Sequence, residues 1–263
     1  DAAVQMAREA GQLTLSHFRS HDLQVDRKGD NSPVTCADRQ AESLLRERIA
    51  NQFPDDAILG EEHGETVGSS GFRWVLDPID GTKSFIHGVP LYTTLVAVLE
   101  GDVPQIGVIE SPATGETVYA AVGAGCWYID RSRSGEAERA SVTKTNRLAE
   151  ALLLTSEVAS FADDRTPDAM PAFLALQSEA RLVRTWGDAY GYLMVATGRA
   201  DVMIDPIVNL WDVAAIQPII EEAGGRFSDW QGTATVHSGE AIATNGQLTD
   251  AVVNIVSQYG PSD

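Results

Sequence analysis

Cysteine is nearly absent: the 263 residues include two, Cys36 and Cys126. That pair forms neither a zinc spacing nor a disulfide framework, so both are read as reduced thiols of a cytoplasmic protein. No apolar run approaches the ~18 residues needed to span a bilayer. Basic residues are scarce, with 19 Lys and Arg against 38 Asp and Glu and a formal charge of −19. Such a balance argues against nucleic acid and anionic membranes as partners, since the phosphates of either are repelled. The N-terminus lacks a charged-then-apolar signal segment. It opens at Asp1 rather than Met, so a short leader is expected ahead of it. Internal repeats and low-complexity segments are missing too.

What is present is ordinary in bulk and unusual in one place. Hydrophobic residues make up 43% and aromatics 7%, as in other folded chains. The length suits a single large α/β unit or two abutting layers. The unusual place is Trp74-Val75-Leu76-Asp77-Pro78-Ile79-Asp80-Gly81-Thr82-Lys83. Three apolar residues read as the end of a buried strand. Pro78 fixes its own φ and biases Asp77 towards an extended shape, which predicts a stiff turn at the strand end. Asp77 and Asp80 can then point at one spot. Gly81 lets backbone approach a ligand closely, and Thr82 stands at a possible helix start. Hard carboxylates beside free N–H groups suit a cation that itself holds a phosphate. In isolation the same pattern is also a common surface turn.

Around this stretch the patterns predict elements. Residues 1–20 read as an amphipathic helix, and 22–35 as a polar loop centred on Lys28-Gly29-Asp30-Asn31-Ser32-Pro33. Thr35 and Asp38 form a capping-box signature opening a helix through Leu44, Leu45 and Ile49. Ala57-Ile58-Leu59-Gly60 is a short strand that ends at Glu61-Glu62. Residues 93–99, 105–109 and 117–122 read as an antiparallel meander, with 126–129 as a further strand. The charged segment 130–147 divides the chain into halves. Beyond it come a strand from Ala151, a helix at 168–178, a strand at 181–185, a helix at 188–197, a strand at 200–204 and a helix at 212–223. That alternation predicts an α/β layer architecture. Three more acids, Asp188, Asp205 and Asp212, sit at element ends, where acids are frequent for local reasons alone.

Taken together, Gly60-Glu61-Glu62, the Trp74 to Thr82 stretch, Trp211-Asp212 and Glu222-Ala223-Gly224-Gly225 resemble the inositol monophosphatase-like superfamily. Gly187-Asp188-Ala189-Tyr190-Gly191-Tyr192, with Ala200 to Pro206, is most similar to its histidinol-phosphate phosphatase branch. The likeness runs from about Ser16 to the last helix. The short connection between Glu62 and Trp74 departs from the pattern.

The resemblance implies an α/β fold, a five-layer αβαβα sandwich, over a single domain at 1–263. Its N-terminal half, about 1–145, would carry most metal ligands, and its C-terminal half, about 146–263, the substrate contacts. It implies Mg²⁺, two or three ions, held by Glu61, Asp77, the Ile79 carbonyl, Asp80 and Asp212. Glu61 and Thr82 would orient a metal-activated water, Asp38 would polarise the Thr82 hydroxyl, and the N–H groups of Gly81 and Thr82 would hold the phosphate. Lys28 resembles a family lysine near the site. Gly187, Asp188, Ala189 and Asp205 would meet the rest of the substrate beside Asp212, and the protein would be a homodimer. Histidinol phosphate is the expected substrate, because its ammonium and imidazole suit Asp188 and Asp205. Inositol, sugar or nucleotide phosphates hydrolysed by the same chemistry remain the near alternative. A non-catalytic metal-binding regulator and an acidic scaffolding protein are alternatives of other classes.

Overall fold

The opening amphipathic pattern forms α1 (Ala2–His17), which buries Ala3, Met6, Ala7 and Ala10. The computed structural model describes residues 1–29, 32–162 and 167–259. Where a loop is predicted, a two-stranded ribbon pairs β1 (Val25–Arg27) with β2 (Pro33–Thr35). Residues 30 and 31 of that loop lie outside the described residues. The capping box is present: Asp38 Oδ2 accepts from the Thr35 N–H at 2.8 Å, and Thr35 Oγ1 accepts from the Ala37 N–H. It starts α2 (Cys36–Gln52), whose Ala41, Leu45 and Ile49 pack with α1 against the first sheet.

That sheet is built from β3 (Ala57–Gly60), β4 (Gly64–Thr66), β5 (Phe72–Asp80), β6 (Thr93–Glu100), β7 (Val103–Ser111), β8 (Glu116–Ala121), β9 (Gly125–Asp130) and β10 (Ala137–Arg139). Its order is β10-β9-β8-β7-β6-β5-β3-β4, so the predicted meander is present, and β3 runs parallel to β5. One expectation is corrected here. The strand does not stop before Pro78 but runs to Asp80 through a register shift between Asp77 and Asp80. Asp77 faces Leu95 and Asp80 faces Thr93, so β5 fits one extra residue into the pairing. Proline has no N–H to give the ladder, and a bulge is where a strand tolerates it.

A five-residue helix, α3 (Thr82–Ile86), follows at once. The C-terminal half holds β11 (Leu152–Leu154), α4 (Met170–Glu179), β12 (Leu182–Arg184), α5 (Ala189–Ala196), β13 (Val202–Asp205), α6 (Leu210–Val213), α7 (Ile216–Glu222), β14 (Arg226–Ser228), β15 (Ala241–Thr244) and α8 (Thr249–Val256). Its sheet runs β12-β11-β13-β15-β14, with β11 parallel to both neighbours. The single helix predicted over 212–223 is two pieces. Pro218 cannot donate to the Ala214 carbonyl, so it is accommodated in the first turn of a new helix.

The buried clusters define the layers. Leu95, Ile109 and Val118 of the first sheet meet Leu193, Ile216 and Ile219 of α5 and α7, which also meet Met203 and Ala243 of the second sheet. Phe173 of α4 and Val252 of α8 cover the other face of that second sheet. With α1 and α2 outside the first sheet, this is a five-layer αβαβα sandwich. The β3 and β5 ends and the α5 start open on the gap between the sheets.

Candidate active site

The bulge in β5 turns two acids to one side at the point where the strand delivers them. Asp77 and Asp80 are 2% and 6% exposed. Asp212 joins them from α6, and one carboxylate oxygen of each lies within 4.8 Å of the others. Asp212 is fixed locally: the Asn209 N–H donates to its Oδ2 at 2.6 Å. Asp80 Oδ2 accepts from Thr93 Oγ1 at 3.0 Å and from the Ala189 N–H at 2.6 Å, which ties the first sheet to α5. Among the described residues, Asp77 Oδ1 is buried without a hydrogen-bond partner.

Thr82 and Asp38 meet as the resemblance implies. Thr82 Oγ1 donates to the Ile79 carbonyl at 2.9 Å and lies 3.5 Å from Asp38 Oδ1. Gly81 precedes α3 at φ +81°, a region that favours glycine, and a Cβ there would stand 2.9 Å from Asp188 Oδ2. Glu61 belongs to the same cavity, interacts with Asp77, and is ion-paired with Lys28, whose Nζ sits 2.7 Å from Glu61 and 2.6 Å from Glu62. The turn that presents both glutamates is shaped by the fully buried Glu42. It accepts from the N–H groups of Glu62 and His63 and pairs with Arg46. A Cβ on Gly60 would fall 2.1 Å from Glu42 Oε1, so this approach needs glycine.

The opposite wall comes from the second sheet. Gly187, Asp188, Ala189 and Asp205 line the same cavity, of about 460 Å³, as the acid cluster. Asp205 is held through both oxygens, Oδ1 by the Ser156 N–H at 3.0 Å and Oδ2 by Tyr192 Oη at 2.8 Å.

Burial dominates the electrostatics. It raises Asp77 well above the carboxylate range, and the charges of Glu61, Asp80 and Asp212 add to it. Asp80 is raised by burial and then by Asp188 and Asp212. Burial pushes Asp212 up to about 7 despite its hydrogen bonds to Asn209. Asp205 rises to about 6 and Asp188 rises too, again chiefly from burial. Burial works against the Lys28 ammonium, but Glu61 and Glu62 outweigh it and hold its pKa above the ordinary value. This is a desolvated negative pocket that favours a proton or a metal cation.

Some contributors escape a reading of the sequence. Glu42 left a faint signal, an acid four residues before Arg46 on the buried side of a helix. Thr93, Lys83, Ser156 and Glu157 carry none, because nothing local marks them as facing a distant element.

Comparison with known proteins matches the geometry. Residues 1–260 match the inositol monophosphatase family. A histidinol-phosphatase of Chlorobaculum parvum is 41% identical over 92% of this chain and 90% of its own. One of Mycobacterium tuberculosis is 39% identical over 95% of each chain. Among solved structures, an IMPase of Thermotoga maritima superposes with a TM-score of 0.83 at 30% identity, covering 97% of this chain and 95% of that one.

Proposed function

The chain belongs to the inositol monophosphatase family and is a metal-dependent phosphomonoesterase of small phosphorylated substrates, and we propose that its substrate is L-histidinol phosphate, hydrolysed to L-histidinol and phosphate in histidine biosynthesis. The observation that carries the substrate is the pair of acids, Asp188 and Asp205, on the wall that the second half contributes beside the Asp77, Asp80 and Asp212 cluster. They give a cationic leaving group a negative partner, which a hydroxylated ring does not require. Relatives with the histidinol-phosphatase name support the same choice.

The residues fit a divalent cation. Asp77 Oδ1 is a buried acceptor without a donor, and the cluster is all hard oxygen. Glu61, Asp77, the Ile79 carbonyl, Asp80 and Asp212 would hold it, and we assign Mg²⁺, two or three ions. When bound, magnesium acidifies water and offsets phosphate charge. The Thr82 hydroxyl, polarised by Asp38, and Glu61 would orient the attacking water. As its oxygen bonds to phosphorus and the ester P–O bond breaks, one water proton would pass to Glu61 and be returned to the departing alkoxide, the other staying on the released phosphate. Gly81 and Thr82 hold the phosphate by backbone N–H groups. Asp188, beside Gly187 and Ala189, takes the cationic end with Asp205 behind it, and Asp212 faces the leaving oxygen. A cytoplasmic homodimer of single-domain chains completes this reading.

The deciding experiment measures phosphate released from histidinol, inositol and sugar phosphates, with and without Mg²⁺. Histidinol phosphate is expected to give the highest kcat/KM, and chelation to abolish turnover of all. A preference for inositol phosphate would favour the alternative activity, for which the likeness to the Thermotoga maritima IMPase speaks. Release unaffected by chelation would remove the metal assignment.

Stability should report the cation as well. Raised folded-state pKa values mean that Asp77, Asp80 and Asp212 contribute stability present below about pH 4 and lost as pH rises through their folded values, about 7 for Asp212. Magnesium binds the deprotonated carboxylates, so it restores what deprotonation removes. The rise in Tm from Mg²⁺ over EDTA is therefore expected to be larger at about pH 8 than at about pH 5.5. An equal rise at both pH values would place the cation elsewhere.

A further inference from the structure

With Glu61, Asp77, Asp80 and Asp212 set aside for the cation, three acids remain on the cavity lining among the described residues: Glu157, Asp188 and Asp205. Asp205 is engaged through both oxygens by Ser156 and Tyr192. Asp188 is hydrogen-bonded by the Ser156 hydroxyl and buried. Glu157 differs from both. It stands at the rim on the connection after β11, its side chain is 48% exposed, and it is ion-paired across the cavity with Lys83 of α3. The pair thus joins α3, which follows β5 of the first sheet, to the connection after β11 of the second, on the lining of the cavity that holds the acid cluster.

An exposed carboxylate–ammonium pair is weak and easily exchanged, because solvent screens it and both side chains lose freedom in making it. A substrate whose leaving group carries an ammonium or imidazolium brings the same chemistry as Lys83 into the same cavity, tethered by its phosphate. Swapping one cation for another at Glu157 leaves the charge balance there unchanged. Lys83 follows Gly81 and Thr82 directly, so its released ammonium remains close to the phosphate.

We propose that Glu157 is a specificity-determining residue that exchanges its Lys83 partner for the cationic group of the substrate. This rests on the histidinol phosphate reading and names the rim contact that selects that leaving group. Lys83 holds Glu157 at the mouth between turnovers and competes with the substrate for it. A phosphate ester with an uncharged body has nothing to offer Glu157 in return and leaves the pair closed.

The test compares kcat/KM for histidinol phosphate and for 4-nitrophenyl phosphate, in the Mg²⁺-loaded enzyme, and follows their ratio. Glu157→Gln is expected to lower that ratio by about ten- to a hundredfold, through KM for histidinol phosphate more than through kcat. Lys83→Met removes the competing cation and is expected to raise the ratio severalfold. Thermal melting of each variant reports that it has folded. A ratio unmoved by Glu157→Gln overturns the proposal. So does a fall in both variants, which would make the pair a brace for the rim. The substrate reading is judged separately, by the ratio in the unaltered enzyme: a wild type that favours the aryl ester sinks that reading, and the proposal with it, before any variant is made.

Discussion

Asp77→Asn is expected to cut metal-dependent phosphate release by about three powers of ten or more while the metal-free protein melts at the same temperature or higher. The two halves of that result come from one feature. Asp77 is 2% exposed, its Oδ1 has no donor, and its neighbours within electrostatic reach are Glu61, Asp80 and Asp212. Such a group is costly to keep ionised unless a cation offsets it. An asparagine of the same shape preserves the packing around β5 and removes one negative charge from the repelling set, so the metal-free fold gains. The same change deletes a hard ligand and weakens the site for magnesium. Phosphate release and a melt in EDTA measure both halves. Near-normal turnover would take Asp77 out of the metal site, and a collapse in Tm would make it a structural acid. An enzyme that becomes sturdier as it loses its chemistry is what a destabilised functional site produces.

Thr82→Ala is expected to lower kcat by about two to four powers of ten with a smaller effect on KM. The alanine keeps the backbone N–H proposed to hold the phosphate and removes only Oγ1. That oxygen lies 2.9 Å from the Ile79 carbonyl and 3.5 Å from Asp38 Oδ1, so its hydrogen has two acceptors and its lone pairs are free for an incoming water. Asp38 is buried and its other oxygen, Oδ2, is already fixed by the Thr35 N–H. Asp38 is thus a fixed second acceptor beside the Ile79 carbonyl for the Thr82 hydroxyl. Steady-state kinetics on the preferred ester decide the matter. A raised KM with kcat retained would make Thr82 a binding residue.

Much of this arrangement could be read along the chain. The apolar run Trp74 to Leu76 marked a buried strand, and the alternating strands 93–129 marked their own meander, because local order and neighbour pairing coincide there. Asp38 is instructive. Its helix-cap reading and its site reading compete in the sequence; the fold shows the cap through Oδ2 and leaves Oδ1 3.5 Å from Thr82 Oγ1, where the proposed role would use it. Six strands were missed: β1, β4 and β10 are three-residue pieces exposed on both faces, with no buried side to impose an alternation, while β2, β14 and β15 are three or four residues long and largely buried, too short to show a period of their own. Pro78 was read as ending a strand, whereas a bulge absorbed it; the competition between a turn and a bulge is settled by the partner strand β6, which lies outside the motif. What local pattern could not supply was distance. Asp77 and Asp212 are 135 positions apart in the numbering, and Lys83 and Glu157 are 74 apart. Only the resemblance joined Asp77 to Asp212. Nothing joined Lys83 to Glu157, because an exposed ion pair leaves no trace in composition or periodicity.

The two walls of the cavity have different freedom to drift. Glu61, Asp77, Asp80 and Thr82 stand on or beside the strands of the first sheet, held by a bulge, a buried Glu42 and close glycines, so most substitutions there disturb the chemistry itself. Glu157 stands on a connection of the second sheet, partly exposed, where replacements cost the fold little. A lineage carrying this scaffold can therefore try new leaving groups by altering the second wall while inheriting hydrolysis intact. Paralogues that share the first wall and differ in the second are the expected record of that history, and ancestral enzymes of broad preference its starting point.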